Sequence, residues 1–485
     1  MAVGGKSQVQ GEVSNEPRPS EGANESPSRL TRSALVPYAG LAIWAFGLGL
    51  ALGLDDPRRR FVPYVLGTLA AWVGLALTTR ARPTGHLAWI VVLGGLGARA
   101  AALGLAPAFS EDLFRHVWDG RLALWAGPWA AYVHPPAEGP ALSLPPGLLD
   151  EAWLRINHPE LATVYPPITQ AAAAAGVALG GLLAAPATGI KLVLVAADLG
   201  AWRLVHRAHP SAGPAWALCP LLVLEVAREG HADALSALGL AVAAVGFTAG
   251  RPRRGYAGLA FAGASKLTGL VLAPWALSRT RRGWTWLLPA FALVALPVGW
   301  SLEVGEAAGA AAYATRWRSG DGAFSILLAA AEALLGGDWA RLGGLTLTRH
   351  QLARGLAGAL FLAAYAGLIA RGRALVGPGF ARGAGLLLTL LLLLSPTLHP
   401  WYPISLWPLV CVARFPGRAA AIWLAVGAPA LHHAVHVELL VGVWTESAAL
   451  RALLHGPAWA LLVGGLARAR AARGPEGRRS TTLGR

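Results

Sequence analysis

Apolar runs, many of about 18 residues or more and so long enough to cross a bilayer as a helix, recur along the whole chain. They fall near 34–54, 62–79, 87–106, 164–184, 187–205, 213–228, 232–249, 256–277, 284–301, 352–371, 384–397, 402–413, 418–437 and 451–467. In lipid every backbone N–H and C=O must bond within the protein, so only helices and closed barrels span. Barrel strands alternate apolar and polar residues, and a run such as Leu386–Leu394 shows no alternation. The pattern predicts an all-α polytopic membrane protein with about 12–14 transmembrane helices. Two long polar segments, 107–163 and 301–351, interrupt the runs and are expected to be larger outer loops carrying interfacial helices.

Charge agrees with this reading. Only 14% of the 485 residues are charged, against about 25% in a soluble domain. Lys and Arg number 41 against 25 Asp and Glu, a formal net charge of +16. In a soluble protein that excess would point to nucleic acid. Here most arginines sit between apolar runs, where the positive-inside rule accounts for them, so the expected partners are membrane lipids and not nucleic acid. Residues 1–32 are rich in Ser, Pro, Glu, Asn and Gly and read as a disordered cytoplasmic tail. They lack the compact apolar core of a secretory signal. Residues 469–485 read as a basic cytoplasmic tail, leaving 33–468 as the membrane domain. Cys219 and Cys411 lie in apolar stretches, and neither a disulfide nor a thiolate metal site is expected.

Counting back from a cytoplasmic C-terminus places the clusters at Arg414–Arg418, Arg371–Arg382 and Arg279–Arg282 inside. It places His399–Tyr402 and both polar segments outside, the face of a plasma membrane away from the cytoplasm. Arg58–Arg60 then lies outside, offset by Asp55 and Asp56, and 164–206 must cross an odd number of times. Arg251–Arg254 and Arg279–Arg282 both belong inside although one apolar run separates them. Two half-length helices forming a hairpin, with its tip near Ser265-Lys266, satisfy both flanks. Such broken helices are tolerated where they line a protein cavity.

Acid and base concentrate in Ser110–Arg121. On a helix, Asp112, Arg115, His116 and Asp119 share one face, with Leu113, Phe114, Val117, Leu124 and Trp125 opposite, the pattern of a helix lying in the membrane interface. Glu111, Asp112 and Asp119 read equally as a general base with orienting partners, or as acids paired with Arg115 and Arg121 along the helix. Asn157 and His158, followed by Tyr165-Pro166-Pro167, offer polar groups for sugar hydroxyls, or simply a Pro-rich helix entry. His231 and Asp233 separate two apolar runs; such groups are functional unless they reach water. Lys266, alone among apolar neighbours, calls for an anion. Arg316 and Arg318 flank Trp317 and suit phosphate or a membrane-interface anchor, and His399, Trp401 and Tyr402 carry the same two readings. His432, His433, His436 and Glu438 have helical metal spacing without further ligands. No phosphate-binding loop, dinucleotide fingerprint or hydrolase elbow is present, and no long internal repeat.

Taken in order, these motifs resemble a family. Glu111-Asp112-Leu113-Phe114-Arg115 with Trp118-Asp119-Gly120-Arg121 looks like the first outer loop of bacterial polyprenyl-phosphate-mannose-dependent α-mannosyltransferases, members of the GT-C superfamily. Asn157–Leu161 through Tyr165-Pro166-Pro167, Gly230–Ala234, Ser265–Thr268, Arg316-Trp317-Arg318 and His399–Tyr402 resemble later landmarks of that family. The likeness covers roughly 85–415. Where an Asn-like residue is expected after Arg-Trp-Arg, the chain has Ser319-Gly320-Asp321-Gly322.

The resemblance implies a GT-C-like helical bundle and an inverting transfer of a sugar, most simply mannose, from a polyprenyl-phosphate donor to a lipid or glycan acceptor outside the cytoplasm. Asp112 takes the role of base, with Glu111 as its partner and Asp119 positioning the acceptor or Arg115. Arg115, Arg121 and Lys266 are the cations for the donor phosphate, and His116 joins the substrate-binding set. No cofactor is implied; a divalent cation is compatible with the reaction, although no ligand spacing asks for one. The rival class is a multi-pass transporter or lipid flippase without chemistry, for which Lys191 and Asp198 are the mid-span charges. A ligase or polymerase moving a preassembled glycan shares the outer-loop logic.

Overall fold

The computed structural model describes residues 27–301, 304–305, 308–342, 345–376 and 379–472. The predicted tails fall mostly outside these residues. The chain runs α1 (Pro27–Leu52), α2 (Phe61–Arg80), α3 (Gly85–Leu103), α4 (Asp112–Ala126), α5 (Glu151–Leu154), α6 (Pro167–Gly181), α7 (Pro186–Ala208) and α8 (Gly213–Ala217). A π-helical segment, Leu222–Arg228, follows. Next come α9 (Asp233–Thr248), α10 (Pro252–Lys266), α11 (Thr268–Leu277), α12 (Leu287–Ser301), α13 (Gly309–Arg316) and α14 (Ala323–Leu335). A short antiparallel hairpin of β1 (Trp339–Leu342) and β2 (Leu345–Thr348) pairs Trp339 with Thr348. The chain ends with α15 (Arg349–Val376), α16 (Phe380–Leu394), α17 (Pro403–Val412), α18 (Arg418–Gly427), α19 (His433–Val441) and α20 (Ala448–Ala471).

Among the described residues the protein is therefore all-α apart from one small hairpin. Among the described residues six stretches are long and apolar enough to cross a membrane: Leu35–Leu52, Phe61–Arg80, Gly85–Leu103, Arg349–Arg371, Arg418–Val441 and Ala448–Ala471. A seventh is added if the pair Pro210–Ala217 and Leu222–Arg228, bent by 61°, is one span. Of the remaining apolar runs, 187–205 folds as the 23-residue α7, which carries Lys191, Asp198, Arg203 and Arg207. The others fold as shorter helices, which hydropathy alone does not separate from spans. A 15-residue helix such as α16 is only about 22 Å long, against a hydrocarbon core of about 30 Å.

Small residues set the closest helix contacts, as expected where lipid leaves no hydrophobic drive between helices. A Cβ on Gly47 would lie 2.5 Å from the Gly67 carbonyl oxygen, and one on Gly74 would lie 2.3 Å from the Trp44 nitrogen, so α1 and α2 pack backbone to backbone. Between α3 and α7, Arg99 Nε meets Asp198 Oδ2 at 2.6 Å, with both side chains buried. Trp216 Nε1 donates to the other Asp198 oxygen at 2.8 Å, and Arg99 also donates to the Ala217 carbonyl at 2.8 Å. Lys191 Nζ donates to the Leu105 carbonyl. Both mid-span charges are thus held in structural contacts.

The hairpin expected from the arginine flanks is present as α10 and α11. The chain reverses at Leu267, which adopts a left-handed φ of 59°. At the open end Tyr256 Oη donates to the Thr280 carbonyl, and Gly283 packs on Arg253. Near the tip Gly269 sits so close that a Cβ there would lie 1.9 Å from the Leu259 carbonyl oxygen. Thr169 Oγ1 donates to the Ser265 carbonyl at 2.9 Å and Ser236 bonds Thr268 at 2.6 Å, tying the tip to α6 and α9. Gly269→Ala is expected to destabilise the protein by about 1–3 kcal/mol through overpacking. Gly97→Ala, on open helix surface, is the control; it should leave thermal unfolding in detergent unchanged or slightly raised, and equal behaviour of the two variants would refute the close packing.

Candidate active site

The site forms where six separate segments meet: the N-terminus of α4, the 157–165 stretch, the 229–233 turn, the hairpin tip, α13 and the 399–402 turn. Glu229 sets the first of these. Its carboxylate accepts the backbone N–H groups of Ala108 and Phe109 at 2.9 Å and Ser110 at 3.2 Å, which fixes the turn entering α4. Ser110 Oγ then accepts the Asp112 N–H at 3.2 Å.

Asp112 stands at the centre, its side chain 19% exposed. Burial pushes its carboxyl above the usual 3.8, while hydrogen bonds from Tyr165 and Asn157 and the charges of Lys266 and Arg115 oppose that rise. His231 Nδ1 lies 3.7 Å from Asp112 Oδ2. Lys266 pairs with Asp233 and sits 3.9 Å above the Tyr402 ring. Trp401 stacks on His231 with centroids 3.6 Å apart and on His399 at 4.6 Å. Tyr402 Oη bonds Tyr313 Oη from α13. That junction is secured by Leu398 N–H to the Ser319 carbonyl, 2.7 Å, and Ser319 N–H to the Pro396 carbonyl, 3.2 Å.

The structure thus brings together Asp112, Asn157, Tyr165, His231, Asp233, Lys266, His399, Trp401 and Tyr402. The other candidates have different surroundings. Arg115 is buried and fully occupied by backbone, donating to the carbonyls of Leu161 at 2.8 Å, His158 at 2.7 Å and Asn157 at 3.2 Å. It clamps the 157–161 stretch and is not free for a phosphate. Arg121 is turned away into a bidentate pair with Asp150, 2.7 and 2.9 Å. Asp119 is buried, with one oxygen accepting Thr163 Oγ1 at 2.7 Å and Gln170 Nε2 at 2.9 Å. Its role is to pin the strap over α4. His116 is buried with neither ring nitrogen bonded, beside Tyr165 at 4.4 Å; burial and the Arg115 charge pull its pKa down to about 3.

Glu111 is exposed beside Asp112, and burial of part of its side chain pushes its pKa up. His158 adopts a left-handed φ of 49° and meets Trp317 edge-on at 4.5 Å. Arg316 is exposed at the end of α13 with no partner among the described residues. Arg318 pairs with Asp321 at 3.0 Å, a carboxylate shared with Arg451 at 2.6 Å. These two arginines stand outside the cluster.

The interfacial reading of α4 needs correction. Leu113, Phe114, Arg115, His116, Val117, Trp118, Asp119 and Gly120 are all buried, so the helix is enclosed on both faces over its first two turns, and only its last turn exposes large apolar side chains, Leu124 and Trp125. Its polar face is covered by the 157–165 stretch, and Gly120 lets α6 approach so closely that a Cβ would lie 2.7 Å from the Ala173 carbonyl oxygen. The metal spacing at His432–Glu438 is likewise used otherwise. His432 turns inward to Glu225, and His433 and His436 pack on Phe61. Among the described residues no group of three or more His, Cys, Asp or Glu side chains is placed to hold a metal ion.

Three participants were not singled out from the sequence. Tyr313 lies three residues before the Arg316-Trp317-Arg318 motif, while Glu225 and Arg228 lie inside an apolar run, and an ionisable residue in such a run was itself the available signal. Compared with family models, with curated proteins and with solved structures, the chain matches none.

Proposed function

We propose that the protein is a membrane glycosyltransferase that moves a sugar, most simply mannose, from a polyprenyl-phosphate donor to a lipid or glycan acceptor on the non-cytoplasmic side. The observation that carries this reading is the convergence of Asp112, Asn157, Tyr165, His231, Asp233, Lys266 and Trp401 from distant segments on one cluster. A GT-C-like arrangement of the bundle belongs to the same proposal.

The step is a single inverting displacement. Asp112 accepts the acceptor hydroxyl proton as that oxygen attacks the anomeric carbon. The bond to the phosphate oxygen breaks, and polyprenyl phosphate leaves with the bonding pair. Lys266 is the cation for that phosphate because it stands in the cluster beside Asp112 and stays partly exposed despite its pair with Asp233, whereas Arg115 clamps backbone carbonyls and Arg121 is turned away to Asp150. Asp233 holds the ammonium in place at the hairpin tip, and the Tyr402 ring lies beneath it. The rigid hairpin thus fixes Lys266 relative to a base on a different element, which is how an in-line geometry is maintained.

The transporter reading loses its two mid-span charges to structure, since Asp198 is paired with Arg99 and Lys191 with a carbonyl. A donor carrying tritium in the sugar and radiophosphorus in the phosphate separates the classes in liposomes with an envelope glycolipid extract. A transferase parts the two labels; a transporter or flippase carries both across the membrane together, and that outcome would overturn the proposal. Lys266→Met is expected to raise the donor KM by about tenfold to a hundredfold through loss of a charge-assisted contact worth roughly 1.5–3 kcal/mol. Arg121→Met should leave that KM unchanged, and a larger effect at Arg121 would reverse the assignment of the phosphate cation.

A further inference from the structure

Behind Asp112 lies a second carboxylate–imidazole arrangement that the transfer step does not use. Glu225 sits in the π-helical segment Leu222–Arg228, a geometry that is rare and concentrates at functional sites. Gly230, at a φ of 81°, turns the chain back so that the His231 N–H reaches the Glu225 carbonyl at 3.0 Å. The His231 ring therefore lies between two carboxylates. Nδ1 is 3.7 Å from Asp112 Oδ2, and Nε2 is 3.4 Å from Glu225 Oε2. Both His231 and Glu225 are 1% exposed, and neither that Nε2 nor that Oε2 has a hydrogen-bond partner. The other Glu225 oxygen meets His432 Nε2 at 2.9 Å. Trp401, stacked at 3.6 Å, fixes the plane of the His231 ring.

We propose that His231, backed by Glu225 and His432, is a positioning residue that takes over the proton Asp112 gains from the acceptor. The inference rests on the transferase reading. When the acceptor O–H bond breaks, its proton moves to Asp112 Oδ2 and its electron pair forms the glycosidic bond. The proton then passes to Nδ1 of His231, and the Nε2–H of the resulting imidazolium faces the Glu225 carboxylate, which balances the charge. A bare Nδ1 facing a carboxylate accounts for the 3.7 Å separation at rest; a proton between them closes it to a hydrogen bond. Burial, with the neighbouring imidazoles and Lys266, holds the His231 pKa well below 6.5, so the ring is neutral at rest and gains the proton only in passing. The charged and titratable groups around this pair are Glu111 beside Asp112, Lys266 and Asp233 at the hairpin tip, Arg115, His116 and Tyr165 over α4, Tyr313, Tyr402 and His399 beside Trp401, and Glu229, Arg228, His432 and Tyr64 behind.

The test uses the full chain in liposomes with two variants, His231→Phe, which keeps an aromatic ring against Trp401, and the isosteric Glu225→Gln. Infrared titration without substrate reads the protonated Asp112 carboxyl, assigned by its loss in Asp112→Asn. Because a bare Nδ1 favours the protonated carboxyl, both variants are expected to lower the Asp112 titration point by about one pH unit. In sugar transfer both should lower kcat by about tenfold to a hundredfold at unchanged donor KM. Wild-type titration and kcat in Glu225→Gln overturn the proposal, also when His231→Phe alone shifts, because packing then accounts for the effect. If the wild type transfers no sugar, the transferase reading fails by itself, and the infrared arm still decides whether Asp112, His231 and Glu225 are coupled.

Discussion

Asp112→Asn will slow sugar transfer by about 10² to 10⁴ and leave the donor KM within roughly a factor of two, the signature of a lost general base. The amide has the shape of the carboxylate and stays within reach of Tyr165 and Asn157, so folding is preserved while the proton acceptor is lost. The pH dependence follows with a definite sign. The base works only when ionised, and burial raises the Asp112 pKa above 3.8. Transfer by the wild type should therefore fall on the acid side at a pH above the 3.8 of an ordinary Asp carboxyl, and be level above that fall. Glu111→Gln, at an exposed neighbour, should cost little. A larger loss at Glu111 than at Asp112 would move the base by one residue.

Asp198→Ala will destabilise the protein by about 3–5 kcal/mol, the cost of leaving a buried charge without its partner. Arg99 is 2% exposed and would keep only the Gly95, Ala217 and Trp216 carbonyls, while the Trp216 N–H would lose its acceptor. Removing both charges with Arg99→Met and Asp198→Leu should recover much of the loss, because replacing a whole buried pair by apolar groups is often close to neutral. Thermal unfolding in detergent reads both. An Asp198→Ala protein as stable as the wild type would mean that this pair reaches water.

What the sequence made legible followed from strong, local physics. The expectation that Arg251–Arg254 and Arg279–Arg282 share one side called for a hairpin between them, and the chain reverses at Leu267, next to Lys266. The motifs at 111–121, 157–165, 229–233 and 399–402 stood out because ionisable and aromatic side chains are expensive among apolar neighbours. What stayed illegible depended on long-range partners. Arg115 and Arg121 offer the same side chain to any anion. Only the fold shows that one clamps the carbonyls of Asn157, His158 and Leu161 and the other a carboxylate 29 residues away. Periodicity gave α4 two faces, but not the strap that covers the polar one. Hydropathy likewise ran through Glu225 and Arg228, whose partners His432 and the Ala51 carbonyl are contributed by distant segments.

The most direct test of the account is the fate of sugar label on a polyprenyl-phosphate-mannose donor, given to wild type and Asp112→Asn in the same liposomes with a membrane glycolipid extract. The account predicts label in a new lipid-linked or glycan product with the wild type and almost none with the variant, both folded by the same unfolding assay. Equal transfer by the two proteins would remove Asp112 as the base. No transfer by wild type from this or any other lipid-linked sugar would contradict the claim that the cluster is a glycosyl-transfer site.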